Sequence, residues 1–417
     1  MQPITKTLVE FLDKHISPKM VEVPRLMFSK KSRTLLARLL HEISHARESV
    51  PDDLVPIWFD KSQGLIKGHD YEYCDVTIKK HIESMADYQC IYSFMVPMPN
   101  GNTRQIQVAM VHSKNKSRKQ VERFFSESIK KIQMWFSVAS QHCSSHCSEK
   151  LNVYLYFTDL QKLLPTNSGE PIDRIHANTA ATTSCKKVAE IHLYRLEEWF
   201  KVLIHESFHC LGLDFSEFNH EQTNATILRM FPVKSDVRLF ETYCETWAEF
   251  INVLFIVQSK RSLMGATLDK QLCAAEKMLE REQEFSLFQC AKVLHFNGLS
   301  YQELYEKTEL AHRKRSHKYK ENTHILSYYI LKSILMFFMN EYIELCIDTN
   351  GQTIHFSKEP AVLQRNLDAY CGFIREHYQD PLLVKSMNAL YFWLSSISKT
   401  KQQQIEFQTL RMTVFEL

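Results

Sequence analysis

Residues 204–216, IHESFHCLGLDFS, place two histidines four positions apart, with a glutamate directly after the first. Residues four apart on an α-helix lie on one face, so His205 and His209 can both point their imidazoles at one metal ion. Glu206 sits one step around the helix, where its carboxylate can reach a water on that ion without binding the ion. Gly212 is placed to end the helix after the second histidine. The segment therefore predicts a helix with a metal-binding face, and the surrounding chain must pack around it.

The same helix carries an apolar stripe, formed by Phe200, Ile204, Phe208 and Leu211. This stripe would anchor the helix in a core while the histidines face a cleft. The other interpretation of the motif is a helix with two histidines that make ordinary hydrogen bonds. The motif alone leaves both open, and a catalytic zinc site also needs a third protein ligand and an open coordination position.

A third ligand close in sequence is not found. In the zinc-protease pattern HExxHxxGxxH, a histidine follows the first one by ten residues, but that position is Phe215 here. Asp214 is one residue early and would point elsewhere. The third ligand is therefore expected from another helix.

The segment FETYCETWAEFINVLF, residues 240–255, supplies three glutamates at spacing four: Glu241, Glu245 and Glu249. They could form only a solvated stripe. However, Cys244 and Ala248 are small and lie near the Glu241 face, so this helix could approach the histidine helix closely. We therefore predict Glu241 as the third ligand and Glu245, one turn on, as an acceptor for a histidine N–H.

HESFH followed by ETYCETWA resembles the gluzincin branch of zinc metallopeptidases. The resemblance covers residues 180–255 and implies a zincin-like core that holds one zinc ion per chain. His205, His209 and Glu241 would be the ligands, and Glu206 the general base. The run from 182 to 216 is also similar to predicted metallopeptidases encoded by large DNA viruses. The separation between His209 and Glu241 is longer than in thermolysin-like members, which leaves the choice between Glu241 and Glu245 open.

These roles predict a zinc-dependent peptidase that acts on a peptide or protein substrate. Zinc-activated water would attack the scissile carbonyl, and Glu206 would take the water proton and pass it to the leaving amine. The strand AEIHLYR (189–195) would be the sheet edge along which an extended peptide lies. Tyr328, Tyr329 or His324 could donate a hydrogen bond to the developing oxyanion, although tyrosines on a helix more often simply pack.

Two other functions compete with this one. The first is a catalytically inactive zincin fold that serves as a binding or virion-associated scaffold; the presence of Glu206 and all predicted ligands favours activity. The second is nucleic-acid binding, which rests only on the basic run 312–320. Because the net charge is only +3, we expect a solvated helix or loop there and no nucleic-acid partner.

The segment QHCSSHCSEK, residues 141–150, offers His142, Cys143, His146 and Cys147. A second metal could bind there, but the paired-knuckle spacing of a structural zinc site is missing. A polar loop between a helix and a strand is the favoured interpretation.

Composition and periodicity predict an α+β, helix-rich chain. Only 9 of 417 residues are glycine, so helix should dominate over strand-dense architectures. Residues 89–215 predict the order β-β-α-β-β-α, a small mixed sheet whose first two strands form a hairpin around Pro99-Asn100-Gly101-Asn102. We expect a helical N-terminal region (1–88), a zincin-like catalytic core (89–258) and a helical C-terminal domain (259–417).

The prediction of localisation rests on the N-terminal residues, the apolar runs and the cysteines. Residues 1–20 are typical of an amphipathic helix and not of a signal peptide. The apolar runs INVLFIVQ and ILSYYILKSILMFFMN are too short, or are broken by Lys332, to span a bilayer. The 11 cysteines are then expected as reduced thiols in an intracellular protein, cytoplasmic or virion-associated and not secreted. Nothing in the sequence indicates an oligomeric state.

Overall fold

The computed structural model of the chain describes residues 3–16, 20–51, 54–167 and 169–417. The strands are β1 (Ile57–Phe59), β2 (Tyr88–Pro97), β3 (Thr103–His112), β4 (Lys150–Phe157), β5 (Ala180–Thr182) and β6 (Val188–Leu193). The α-helices of the first part are α1 (Pro3–Phe11), α2 (Lys30–Ser49), α3 (Val76–Met85), α4 (Arg118–Ser140), α5 (Arg174–Ala177), α6 (Trp199–Cys210), α7 (Glu221–Met230) and α8 (Leu239–Ser259). Those that follow are α9 (Leu268–Phe296), α10 (Glu309–Lys318), α11 (Lys332–Phe337), α12 (Met339–Asn350), α13 (Leu363–His377), α14 (Pro381–Ser396), α15 (Lys399–Gln402) and α16 (Ile405–Gln408).

Helices account for 56% of the described residues, which also form a six-stranded mixed sheet, so the predicted helix-rich α+β class is confirmed. The strand order is β1-β2-β3-β4-β6-β5. The pairs β3-β4 and β4-β6 are parallel, and the remaining pairs are antiparallel. The predicted order β-β-α-β-β-α is confirmed as β2, β3, α4, β4, β6 and α6, with the short α5 and β5 added between β4 and β6.

The predicted hairpin is confirmed, and the predicted sheet edge is wrong. Tyr88 pairs with His112 and Pro97 with Thr103 around the turn at Gly101, whose φ of 82° suits glycine. The strand at 189–195 is β6, but β5 pairs with its outer side, so β5 is the edge. Three residues of Ala and Thr are too short a run for periodicity to reveal a strand.

Alternate side chains of the central strands face two different layers. Ile106 and Val108 belong to the main core, which also contains buried residues of α4 and α6. Val111 and Tyr156 face a smaller cluster on the other side of the sheet, closed by Ile78 of α3 and its neighbours. The sheet is thus covered on both faces, which agrees with the near-continuous apolar runs of its parallel strands.

One main cluster of buried apolar side chains draws on all three predicted segments. It includes Leu36, Phe136 and Leu287, which lie before, between and after the predicted boundaries. The boundary at 88 coincides with the start of β2, and that at 258 falls near the end of α8. The three predicted segments therefore share one core. Their division into domains stays a prediction.

The N-terminal helix is found in part, and no described helix is suited to cross a bilayer. Residues 3–11 form α1 and Leu12–Ile16 a π-helical turn, with Leu8 and Phe11 buried; residues 1, 2 and 17–19 of the predicted helix lie outside the described residues. Among the described helices, none is both long and apolar enough for a membrane span. The longest apolar run is divided among a π-helical turn, α11 and α12.

The prediction that all cysteines are reduced is wrong for one pair. Cys147 and Cys185 form a disulfide. Cys147 lies in the loop after α4 and Cys185 between β5 and β6. The backbone N–H of Ser148 donates to the carbonyl oxygen of Lys186, which places the two loops side by side. A separation of 38 residues hides this proximity from the sequence.

The last residues of the chain form a buried polar seam behind α6. Glu282 of α9 is fully buried. Its carboxylate accepts hydrogen bonds from the Thr413 hydroxyl and from the backbone N–H groups of Val414 and Phe415, at 2.6–3.1 Å. The Thr5 hydroxyl donates to the carbonyl oxygen of Val414, so α1 covers the same segment. The C-terminal residues are therefore part of the core.

We expect Glu282→Ala to lower the free energy of unfolding by at least about 3 kcal/mol, because three buried donors lose their acceptor. Denaturant unfolding followed by circular dichroism measures this. Glu309→Ala is the control, since that carboxylate is exposed and only pairs with Arg313, which is worth less than about 1 kcal/mol. Equal effects of the two substitutions would contradict a stabilising role for the seam.

Candidate metal centre and cleft

Helix α6 is fixed in position at both ends. It begins after Glu198, whose φ of 57° is unusual for a residue with a side chain. The buried Glu198 carboxylate accepts hydrogen bonds from Lys162 Nζ and from the backbone N–H groups of Met412 and Thr413, each at 2.7 Å, and these hold the strained residue. The other end closes at Gly212, with φ of 63°. Every residue of α6 is buried.

Helix α8 packs directly on α6, as the small residues predicted. Cys244 and Ala248 are fully buried, and Glu241 lies in the first turn of α8. The predicted apolar stripe of α6 is also buried. The two helices therefore bring the predicted ligands from separate parts of the chain to one place.

Three donor atoms form a small triangle between the helices. Glu241 Oε2 lies 3.0 Å from His205 Nε2 and 3.3 Å from His209 Nε2, and the two nitrogens are 3.2 Å apart. Tetrahedral zinc with ligands at about 2.0–2.1 Å implies ligand atoms about 3.3 Å apart. The group His205, His209 and Glu241 thus fits one zinc ion in both donor chemistry and spacing.

Carboxylates also lie at the outer nitrogens of both histidines. His209 Nδ1 donates to Asp214 Oδ2 at 2.6 Å. His205 Nδ1 lies 3.0 Å from Glu245 Oε2, an ion-pair contact without hydrogen-bond geometry. A carboxylate at Nδ1 keeps the proton there, which leaves the Nε2 lone pair for a metal. Glu245 was predicted in this role, whereas Asp214 was expected to point elsewhere.

The position of Asp214 follows from the turn at Gly212. The backbone N–H of Gly212 donates to the carbonyl oxygen of His209, and that of Leu213 to Phe208, at 3.1 and 2.8 Å. This left-handed helix ending folds the next residue back onto the last turn. An aspartate two residues after the closing glycine was the signal that sequence reasoning missed.

Glu245 contacts two lysines through its second carboxylate oxygen, Oε1. Lys201 contacts its Oε1, and Lys332 Nζ lies 3.6 Å from the same atom. Burial alone would raise the pKa of Glu245, but Lys201, Lys332 and His205 lower it well below its usual value. Burial likewise opposes ionisation of Glu241, whose pKa is lowered well below its usual value by His209 and His205. The geometry favours Glu241 over Glu245 as the residue that faces both Nε2 atoms.

A second triad of possible ligands shares His209. Its Nδ1, Asp214 and Cys244 lie close together, but both partners are fully buried and do not line a described cleft. An ion held there would have no open position for a substrate. The Nε2 triangle differs because Glu206, His209 and Glu241 line a cleft of about 680 Å³.

Glu206 lies at the boundary between the buried helices and this cleft. It is 9% exposed, and its carboxylate makes no hydrogen bond with a described residue. Burial raises its pKa, while the nearby His205 and His209 act in the opposite direction. A carboxylate with a raised pKa and no competing partner suits a general base.

The three candidates for oxyanion stabilisation differ in whether they line the cleft and whether they can donate a hydrogen bond there. Tyr328 and His324 line the cleft. Tyr329 does not, because its hydroxyl donates to the carbonyl oxygen of Leu410 at 2.6 Å. His324 Nδ1 lies 3.1 Å from the Asp236 carbonyl oxygen, so the neutral ring presents an acceptor at Nε2. Burial and nearby carboxylates, Glu241 first, raise the pKa of Tyr328 well above its usual value, so it keeps its proton and can donate.

The other segments considered from sequence have structural partners. His142 contacts Glu42 and Thr353, at 2.7 and 3.0 Å. Cys147 lies close to His146 but is joined to Cys185 in the disulfide, so the four residues of 141–150 do not form one ligand group. In the basic run, Arg315 donates to the carbonyl oxygens of Glu303 and Glu306. Part of that charge therefore holds the chain together.

No family model matches the chain, and comparison with curated proteins and with solved structures gives no match either.

We expect the purified protein to carry about one zinc ion per chain, and Glu241→Ala to abolish that binding. Glu245→Ala should weaken it by about 10–100-fold, as expected for a residue that only orients a ligand. Competition with a chromophoric chelator measures both affinities, with Glu217→Ala as an exposed control from the loop after α6. The reverse order of effects would assign the ligand to Glu245, and small effects of both would remove this centre.

Proposed function

We propose that the protein is a zinc-dependent peptidase with a zincin-like core. The observation that carries the proposal is the triangle of His205, His209 and Glu241 donor atoms with Glu206 beside it in an accessible cleft. Carboxylates at both outer histidine nitrogens add support, because they orient the rings before a metal binds.

Zinc in this triangle would supply positive charge that polarises the scissile carbonyl and acidifies water. Glu206 takes the proton of the attacking water and passes it to the leaving amine as the C–N bond breaks. The Tyr328 hydroxyl donates a hydrogen bond to the oxygen that gains negative charge. Both side chains line the same cleft as His209 and Glu241 of the triangle.

The substrate strand would lie along β5. This strand is the last of the sheet, and Ala180, Ala181 and Thr182 line the cleft. An edge strand offers unpaired backbone groups to an extended peptide, which gives binding with little dependence on side chains. The proposal moves the substrate edge from 189–195 to 180–182, one strand outward.

Glu206→Gln tests the reaction directly. The amide cannot accept the water proton, so hydrolysis should fall by at least about 10²-fold while zinc content stays near one per chain. Cleavage of a peptide library, followed by mass spectrometry, and elemental analysis give the two measurements. Glu217→Gln, an exposed change in the next loop, should keep both.

Two results would count against the proposal. Full activity of Glu206→Gln on a peptide that the parent cleaves would remove Glu206 as the base. A zinc-loaded parent that cleaves no peptide of the library would favour the inactive scaffold.

Tyr328→Phe should lower kcat by about 10²–10³-fold, because the oxyanion loses its donor. KM and zinc content should change little. Tyr329→Phe is the matched control on the next residue; it loses the hydrogen bond to Leu410 and should cost about 1 kcal/mol of stability without lowering kcat. Steady-state kinetics on one fluorogenic peptide compares them, and similar kcat values for both variants would exclude Tyr328 from this role.

A further inference from the structure

A second hollow of about 400 Å³ opens beside the cleft of the metal centre. The two spaces share three lining residues, Arg174, Arg238 and His324. Lys234 and Thr323 line the far part of the hollow. A substrate held at the donor triangle could therefore extend one of its groups into this hollow.

The hollow is lined by more cationic side chains than its ion-paired carboxylate can neutralise. Among the described residues, Arg174 and Lys234 have no ion-pair partner. Arg238 Nε contacts Asp236 Oδ2 at 3.1 Å, and that carboxylate is itself exposed. Of these three cations only Arg238 is thus ion-paired, and its partner carboxylate faces solvent.

The other acidic groups nearby are already engaged. Glu321 accepts hydrogen bonds from the Tyr319 hydroxyl and the Leu326 N–H, at 2.9 and 3.0 Å, and burial raises its pKa to about 7. Asp173 accepts from the N–H of Arg174 and from Asn322 Nδ2. Glu321 is therefore only partly ionised near neutral pH, and Asp173 lines the neighbouring cleft and not the hollow. The three cations of the hollow still outnumber its negative charges, which come from Asp236 and a partly ionised Glu321.

Asp70 and Asp75, which line the cleft, have hydrogen-bond partners within the protein. Asp70 accepts a hydrogen bond from the Thr183 hydroxyl at 2.7 Å, and Asp75 caps α3 through the Thr77 N–H at 2.7 Å. They belong to the segment before and at the start of α3 and do not line the hollow. The excess of cations is therefore confined to the hollow.

We propose that this hollow binds a carboxylate of the substrate through Arg174 and Arg238, so that the preferred substrate is a peptide with a carboxylate close to the scissile bond. This inference rests on the proposed peptidase function. A guanidinium group presents a fork of N–H donors that matches a carboxylate, and such charge-assisted pairs are the stronger hydrogen bonds. The carboxylate could belong to an acidic side chain or to a free C-terminus.

Four matched peptides separate these sources. They share one sequence cleaved by the parent and differ in Glu or Gln at one position and in a free or amidated C-terminus. We expect kcat/KM to be at least about tenfold higher for one of the two carboxylates, the value of a modest charge-assisted bond. A Glu/Gln preference identifies a side-chain site, and an acid/amide preference identifies a C-terminal site.

In the double variant Arg174→Gln/Arg238→Gln, the ratio of kcat/KM between the peptides with and without the preferred carboxylate should fall close to one. Arg238→Lys should retain part of it, because the charge stays while the fork is lost. Arg313→Gln, an exposed arginine of α10 outside both spaces, is the control and should keep the full ratio. Ratios near one in the parent, or a ratio that the double variant leaves intact, would overturn the proposal.

A binding measurement makes the result independent of catalysis. Fluorescein-labelled forms of the four peptides are titrated into zinc-loaded Glu206→Gln, and anisotropy gives their affinities; an alanine-rich hexapeptide set is used if the parent cleaves no library peptide. Carboxylate-dependent binding that needs Arg174 and Arg238, without cleavage by the parent, would sustain the site and overturn the peptidase proposal. Cleavage together with equal binding of all four peptides would sustain the peptidase proposal and overturn the carboxylate site.

Discussion

The contact of Glu241 on α8 with His205 and His209 on α6 puts ionisable groups at the centre of the protein, and much of the structure serves to satisfy them. A buried carboxylate without a partner is destabilising by several kcal/mol. Here Glu241 faces two imidazoles, and each imidazole faces a further carboxylate, Asp214 or Glu245. The arrangement requires α6 and α8 to lie close together, which explains the small residues Cys244 and Ala248.

The same requirement extends into a buried ionic layer behind the centre. Glu245 contacts Lys201 and Lys332, and Lys332 also contacts Glu249 and donates to the carbonyl oxygen of Met412 at 2.7 Å. The C-terminal segment thus supplies the Met412 carbonyl oxygen to the ionic layer, in which Glu245 lies at Nδ1 of the candidate ligand His205. The candidate metal centre between α6 and α8 is in this way linked by hydrogen bonds and ion pairs to the C-terminal segment.

The cleft lies where this frame meets the edge of the sheet. Glu206 and Tyr328 face it from the buried side, and β5 borders it. A general base at such a boundary is shielded from water on one side and accessible to a substrate on the other. The cationic hollow adjoins the cleft through Arg174, Arg238 and His324, which agrees with the proposed recognition of a substrate carboxylate close to the scissile bond.

The sequence by itself determined the local features. The spacing of His205 and His209, the helix with Glu241 and Glu245, the hairpin around Gly101 and the dominance of helix all follow from periodicity and turn chemistry, which act within one element. Residues 240–255 were informative because small and acidic positions repeat at helical spacing.

Only the tertiary structure decided what depends on contacts between distant segments. It placed β5 outside β6, joined Cys147 to Cys185, separated Tyr328 from Tyr329, and turned Asp214 back onto His209. It also chose between Glu241 and Glu245 for the position facing both histidines, because one helical turn changes which nitrogen a carboxylate meets. Sequence spacing cannot resolve that difference, since the two glutamates share nearly the same face of α8 and only the crossing of α6 distinguishes them.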